Sequence, residues 1–151
     1  ILVERYALNT EDGTGHGTYR GGFGAVRNYR LLCSEASFTV SAGRSKFPCW
    51  GVDGGMKGTP NYAVVYRQGE KPMRVMKIAA FKVRKGDMMS LVTGGGGGWG
   101  DPLKREPKLV LRDVINEYVT PEVAREVYRV EINKETMEID TEATMKLRRG
   151  K

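Results

Sequence analysis

A chain of 151 residues with 40% apolar and 28% charged side chains has material for one ordinary core and too little for two well-built domains. Its formal net charge of +7 leaves room for an anionic partner, yet the one dense basic group, Lys146, Arg148, Arg149 and Lys151, reads as a solvated helix end, which disfavours nucleic acid. No apolar run approaches the ~20 residues that span a bilayer, and Cys33 and Cys49 form no CxxC pair, so a cytoplasmic protein with free thiols and no membrane contact is expected.

The opening residues, "ILVERYAL", read at once as a strand with no targeting pattern before it, as in a piece of a longer chain. Up to about residue 93, apolar residues alternate with period two between glycine-rich turns. In "SFTVSA", Phe38, Val40 and Ala42 share one face and Ser37, Thr39 and Ser41 the other. "VERYAL", "VRNYRLL", "NYAVVY", "RVMKIAAFKV" and "MMSLVT" repeat the pattern. The apolar pattern around Cys33 places that thiol in the core, whereas Cys49 in "FPCWG" falls in a loop. Val75 to Val83 is apolar on both faces and predicts a central strand, joined through the turn "RKGD" to "MMSLVT" as a hairpin.

"VTGGGGGWGDP", Val92 to Pro102, breaks the period. Beyond it, Val110, Leu111, Val114, Ile115 and Tyr118 form the stripe of an amphipathic helix. Thr120 and Pro121 supply the N-cap and first position of a second helix with Val123, Ala124, Val127 and Tyr128 on its apolar side. "VEINKETMEID" predicts two short strands turning at Asn133 and Lys134, and "TEATMKLRR" a terminal helix with Glu142 one turn ahead of Lys146. The expected fold is α+β: a single domain with a mainly antiparallel β-sandwich or barrel over 1–100, and helices near 107–118, 121–129 and 141–149 packed on it.

Few chemical signals stand on their own. Gly95, Gly97 and Gly100 satisfy GxGxxG, the spacing of a phosphate-cradling loop, but "WGDPLKREP" separates them from any helix, and no GK[ST] follows. His16 in "DGTGHG" is the sole histidine, which rules out a multi-histidine metal site within this sequence and reads as a loop residue between strands. Cys49 beside Trp50 reads as packing in preference to a nucleophile, and the carboxylates show no paired spacing.

Four segments in order carry more: "GTYRGGFGAVRNYRLL" from Gly17, "RSKFPCWGVDGG" from Arg44, "TGGGGGWGDP" from Thr93, and "LRDVINEYVTPEVAREVYRV" from Leu111. Together they resemble the C-terminal part of the hydantoinase B and 5-oxoprolinase family, with Cys49 where members often have Pro and Trp99 where they often have Tyr. The resemblance implies a module of a subunit that takes part in ATP-dependent opening of cyclic amides such as hydantoins and 5-oxoproline. A related ketone carboxylase, or a purely structural subunit-interaction domain, are the alternatives. It further implies a hydantoinase A-type ATP-binding subunit and the N-terminal part of its own subunit as partners, in a hetero-oligomer. ATP and a divalent metal belong to that full assembly, and no cofactor, metal ligand or catalytic residue is assigned to this chain, which alone is expected to be inactive. Gly94, Gly95, Gly96, Gly97, Gly98, Trp99 and Asp101 become the candidate substrate or subunit-contact loop, with Trp99 holding it by burial and Asp101-Pro102 ending it. Trp50, Gly51, Gly54 and Gly55 form a second candidate loop.

Overall fold

The computed structural model describes residues 1–150, so Lys151 of the basic tail lies outside the described residues. Seven strands occupy the first two thirds of the chain: β1 (Leu2–Leu8), β2 (Ala25–Arg30), β3 (Glu35–Ser41), β4 (Tyr62–Tyr66), β5 (Met73–Val75), β6 (Lys77–Arg84) and β7 (Met88–Val92). Five of them build an antiparallel sheet in the order β1-β2-β7-β4-β5, and β3 pairs with β6 as a separate antiparallel ribbon. The ribbon closes one face of the sheet. Between them lies a core of Leu31, Val65, Val83 and Met89, flanked by Tyr29, Phe38, Met73 and Phe81. The fold is therefore α+β with sandwich-like packing, and the sheets do not close into a barrel.

Two expectations fail in one place. The stretch expected as a single central strand divides at Met76: β5 stays on the β4 edge of the sheet, and β6 crosses to pair with β3. Its apolar character on both faces came from Ala79 and Ala80, which are small and exposed, while Ile78, Phe81 and Val83 alone face inward. Ala80 takes a left-handed φ of 51°, with its N–H donated to Thr39 Oγ1 at the bulge where the β3–β6 register shifts. "RKGD" does turn the chain, with the Asp87 N–H on the Arg84 carbonyl at 2.9 Å and Gly86 at φ 92°. It leads out of the ribbon into the sheet, where β7 pairs with β2 and β4, so the expected hairpin is a crossover between layers. Cys33, expected in the core, is exposed in the turn between β2 and β3.

The C-terminal third folds on its own core. Helices α1 (Pro107–Ile115), α2 (Pro121–Glu126) and α3 (Thr141–Arg149) surround a short hairpin of β8 (Ile132–Asn133) and β9 (Glu138–Ile139). Val110, Val114, Val119, Ala124, Tyr128, Val130 and Ile132 are all buried together there. Thr120 caps α2 by accepting from the Val123 N–H, and Asp140 caps α3 through Ala143. Glu142 and Lys146 pair one turn apart on α3 at 3.6 Å.

Candidate functional site

The glycine run begins where the sheet stops. β7 continues past Val92 into Gly94–Gly100, flanked by the segments that lead out of β1, into β2 and into β4. Five segments, 13–18, 19–24, 49–52, 55–60 and 94–100, thus lie side by side with almost nothing between them but backbone. The contacts of the run repeat every third residue. Cβ atoms built on Gly95 and Gly98 would both strike segment 13–16, and those on Gly94 and Gly97 would strike Thr59 and Trp50 respectively. Gly96 and Trp99 donate their N–H groups to the Gly22 and Tyr19 carbonyls at 2.9 and 2.8 Å. A period of three is that of the polyproline II helix, and in the collagen triple helix wound from such chains glycine is required where the chains crowd one another at the axis. Here neighbours meet Gly94, Gly95, Gly97 and Gly98 closely and leave room beside Gly96, so close approach accounts for the glycines on either side of the middle position. The Asp53-Gly54 turn, with φ of 52° and 87°, reverses the chain between two of the segments.

This packing leaves no cradle for a phosphate. The N–H groups of Gly94 and Gly95 are donated to Asn61 Oδ1 and Thr59 Oγ1, and those of Gly96, Gly98, Trp99 and Gly100 to backbone carbonyls, so the run offers no row of free donors to an anion. Asp101 ends the run as expected, its Oδ1 accepting from the Leu103 N–H at the 3₁₀ turn Pro102–Lys104. Trp99 behaves differently from expectation: it is 49% exposed, and backbone bridges to Tyr19 and Val52 hold it in place of burial. Tyr19, Trp99 and Val52 form an exposed apolar row, the Tyr19 and Trp99 rings 5.6 Å apart. Trp50 of the second candidate loop is also exposed, with the Arg44 guanidinium over its ring. The structure brings the two candidate loops together, since the Trp50 carbonyl packs on Gly97 and the Gly98 carbonyl on Gly55.

A charged seam fixes the bundle to the helices. Asp113, 2% exposed, accepts from Arg20 Nε at 3.0 Å and Arg105 Nη2 at 2.8 Å. Arg105 also donates to the Thr18 carbonyl, and Arg20 lies over the rings of Phe23 and Tyr118. His16 Nδ1 shares a 2.9 Å hydrogen bond with the fully buried Tyr128 hydroxyl. Burial is the main cause of both of their shifts, holding the imidazole below its ordinary pKa and pushing the phenol up to about 12. His16 thus links the glycine bundle to the helical unit, in surroundings that disfavour its charged form. Sequence reasoning missed this seam, although a charge at Asp113 inside the stripe of Val110 and Val114 was its one visible sign. Among the described residues no group of three or more His, Cys, Asp or Glu could hold a metal ion. Nor is any helix among them long and apolar enough to cross a membrane.

The family model for hydantoinase B/oxoprolinase matches residues 1–102, which include the whole glycine bundle. The chain belongs to the hydantoinase B/oxoprolinase family. It is 36% identical over 152 residues to a protein of Pseudomonas sp. strain NS671 provisionally named as the B-type subunit of a D-/L-hydantoinase, covering 99% of this chain and 25% of that one. An uncharacterized protein of Methanocaldococcus jannaschii is 36% identical over 150 residues, covering 98% of this chain and 26% of its own. The crystal structure of the ATP-dependent caprolactamase from Pseudomonas jessenii superposes with a TM-score of 0.75 at 28% identity, over 99% of this chain and 26% of that one. The chain thus spans about a quarter of the length of these relatives.

Proposed function

We propose that this hydantoinase B-type chain is the C-terminal module of a subunit that takes part in ATP-dependent hydrolysis of cyclic amides. The observation that carries the reading is the family match over residues 1–102, whose segments are those that the bundle locks together. In this reading the bundle is a rigid platform, and catalytic groups come from the rest of the assembly. Exposed large apolar side chains support a role in assembly. Tyr19, Trp99 and Val52 stand in a row at the bundle, Phe47 and Trp50 lie nearby in the chain, and Leu2, Val3, Tyr6 and Leu8 line the edge strand β1. Aromatic residues held on a stiff backbone lose little entropy on docking and dominate interface energetics.

The partners in this reading are an A-type ATP-binding subunit and the N-terminal portion of the same subunit, which would also carry any divalent metal. The test is reconstitution of the full B-type subunit with its A-type partner, assayed for ATP-dependent opening of 5-oxoproline, N-methylhydantoin and caprolactam. Turnover of one of them is expected from the assembly and none from the 151-residue chain alone. Bicarbonate-dependent consumption of a ketone without lactam opening would replace the hydrolase reading with a carboxylase one. If Trp99→Ala weakened assembly but left turnover per assembled complex unchanged, the bundle would act by contact alone.

A further inference from the structure

A groove of about 460 Å³ runs between the start of α1 and the outer face of α3, far in sequence from the glycine bundle. Pro107, Ile139 and Met145 give it an apolar floor, and Lys108, Arg148 and Arg149 give it three cations. Its volume lies within the range of small-molecule sites, and a few polar groups on an apolar lining are how such sites orient a ligand.

Arg148 is the informative residue. Its Nη2 donates to the carbonyls of Arg105 and Tyr128 at 2.8 and 3.2 Å, which fixes the guanidinium against the groove wall. Its Nε is buried with no acceptor. Burial lowers its pKa with no carboxylate offsetting the effect, whereas Arg105 and Arg20 nearby both have Asp113. Glu106, the one carboxylate among the described residues that line the groove, is exposed and gives α1 no side-chain cap. A partly desolvated guanidinium without a carboxylate, beside an apolar floor, is complementary to an anion with an organic body.

We propose that this groove binds a small amphipathic carboxylate, its apolar body on Pro107, Ile139 and Met145 and its carboxylate on Arg148, with Lys108 and Arg149 adding to the positive field. The inference is independent of the reading of the family's reaction. It is tested with octanoate as the probe, titrated into the whole chain and followed by backbone amide NMR, with octanol and octylamine as neutral and cationic controls. Saturable shifts at Lys108, Met145 and Arg148 are expected, with octanoate at least about tenfold tighter than octanol and no saturation with octylamine. Arg148→Gln should weaken octanoate about tenfold or more. Because Arg148 also ties two carbonyls, the exposed pair Lys108→Glu with Arg149→Glu provides a second variant, expected to weaken octanoate while leaving the remaining spectrum in place. Octanol binding as tightly as octanoate, shifts centred elsewhere, or no saturation by roughly 10 mM would each overturn the proposal.

Discussion

The glycine bundle and the helical unit solve the same problem with opposite means. The helical unit excludes water with side chains: Val110, Val114, Ala124, Tyr128 and Val130 fill a conventional core. The bundle has almost no side chains to pack, so it brings peptide groups together and satisfies them with one another, Gly15 on Gly96, Gly98 on Met56 and Met56 on His16. A side-chain core tolerates volume changes by rotamer adjustment, whereas a backbone core can adjust only by moving whole segments. The two regions should therefore respond very differently to one added or removed group.

The largest effect is expected where the regions meet. Asp113→Ala removes the carboxylate holding both Arg20 and Arg105 and leaves Arg105, 6% exposed, as an uncompensated buried charge. Breaking such a pair typically costs about 3–5 kcal/mol. Urea unfolding should show that loss and, if the seam makes the halves one cooperative unit, a split into two transitions. A single transition with under about 1 kcal/mol lost would mean that the halves do not rely on the seam.

Next comes Gly98→Ala. Its Cβ would enter the space of the His16 carbonyl, which is itself held by the Met56 N–H at 2.7 Å, so the obstacle cannot swing aside as a side chain would. Overpacking usually costs about 1–3 kcal/mol, and a backbone obstacle puts this variant at the upper end. Ala124→Gly in α2, also a single methyl at a fully buried site, should cost less, near the roughly 1 kcal/mol of helix propensity plus a small cavity. Equal losses in thermal denaturation would remove the contrast between the two kinds of core.

The His16–Tyr128 link should cost about 1 kcal/mol when cut by Tyr128→Phe, the usual net worth of one hydrogen bond. It also carries a pH signature. The folded-state pKa of His16 lies below the ordinary 6.5 because of burial, so the unfolded chain binds the extra proton first. Its contribution is fully present above about pH 6.5 and is lost as pH falls below that value toward the folded pKa. Stability curves for the parent and His16→Gln should diverge with rising pH across that window and run parallel above it. Parallel curves throughout would show that the imidazole does not report on the contact.

How much of this could be read from residues depends on whether the packing partner is local. α2 and α3 were visible because Thr120, Pro121 and the Glu142–Lys146 pair act within a turn or two. β4, β7 and β3 followed from alternation, but the pairing of β6 did not, since period two says nothing about which layer a strand joins. The break at Met76 was hidden because alanines at 79 and 80 count as apolar while burying little area. At the candidate site, "GGGGGWG" announced close approach without saying to what, because its partners are remote in sequence, as Gly100 on Thr18 and Gly94 on Thr59 illustrate. His16 does lie in the loop between β1 and β2, but its role as a link could not be read, because Tyr128 is 112 residues away.

The smallest expected effect lies inside the run itself. Gly96 is flanked by glycines whose Cβ positions collide with backbone, yet a Cβ on Gly96 would have Gly22 N as its nearest neighbour at 3.6 Å, an ordinary van der Waals distance. Its φ is outside the left-handed region, so alanine fits there without backbone strain. Gly96→Ala should then be neutral within about 0.5 kcal/mol, or slightly stabilising through the lower entropy of the unfolded chain. Measured beside Gly95→Ala, whose Cβ would lie 2.6 Å from the Gly13 carbonyl oxygen, it compares adjacent positions of identical sequence context. If both variants lose several kcal/mol, the run tolerates no side chain for a reason other than the approach of its neighbours, and the three-residue period is not the rule that shaped it.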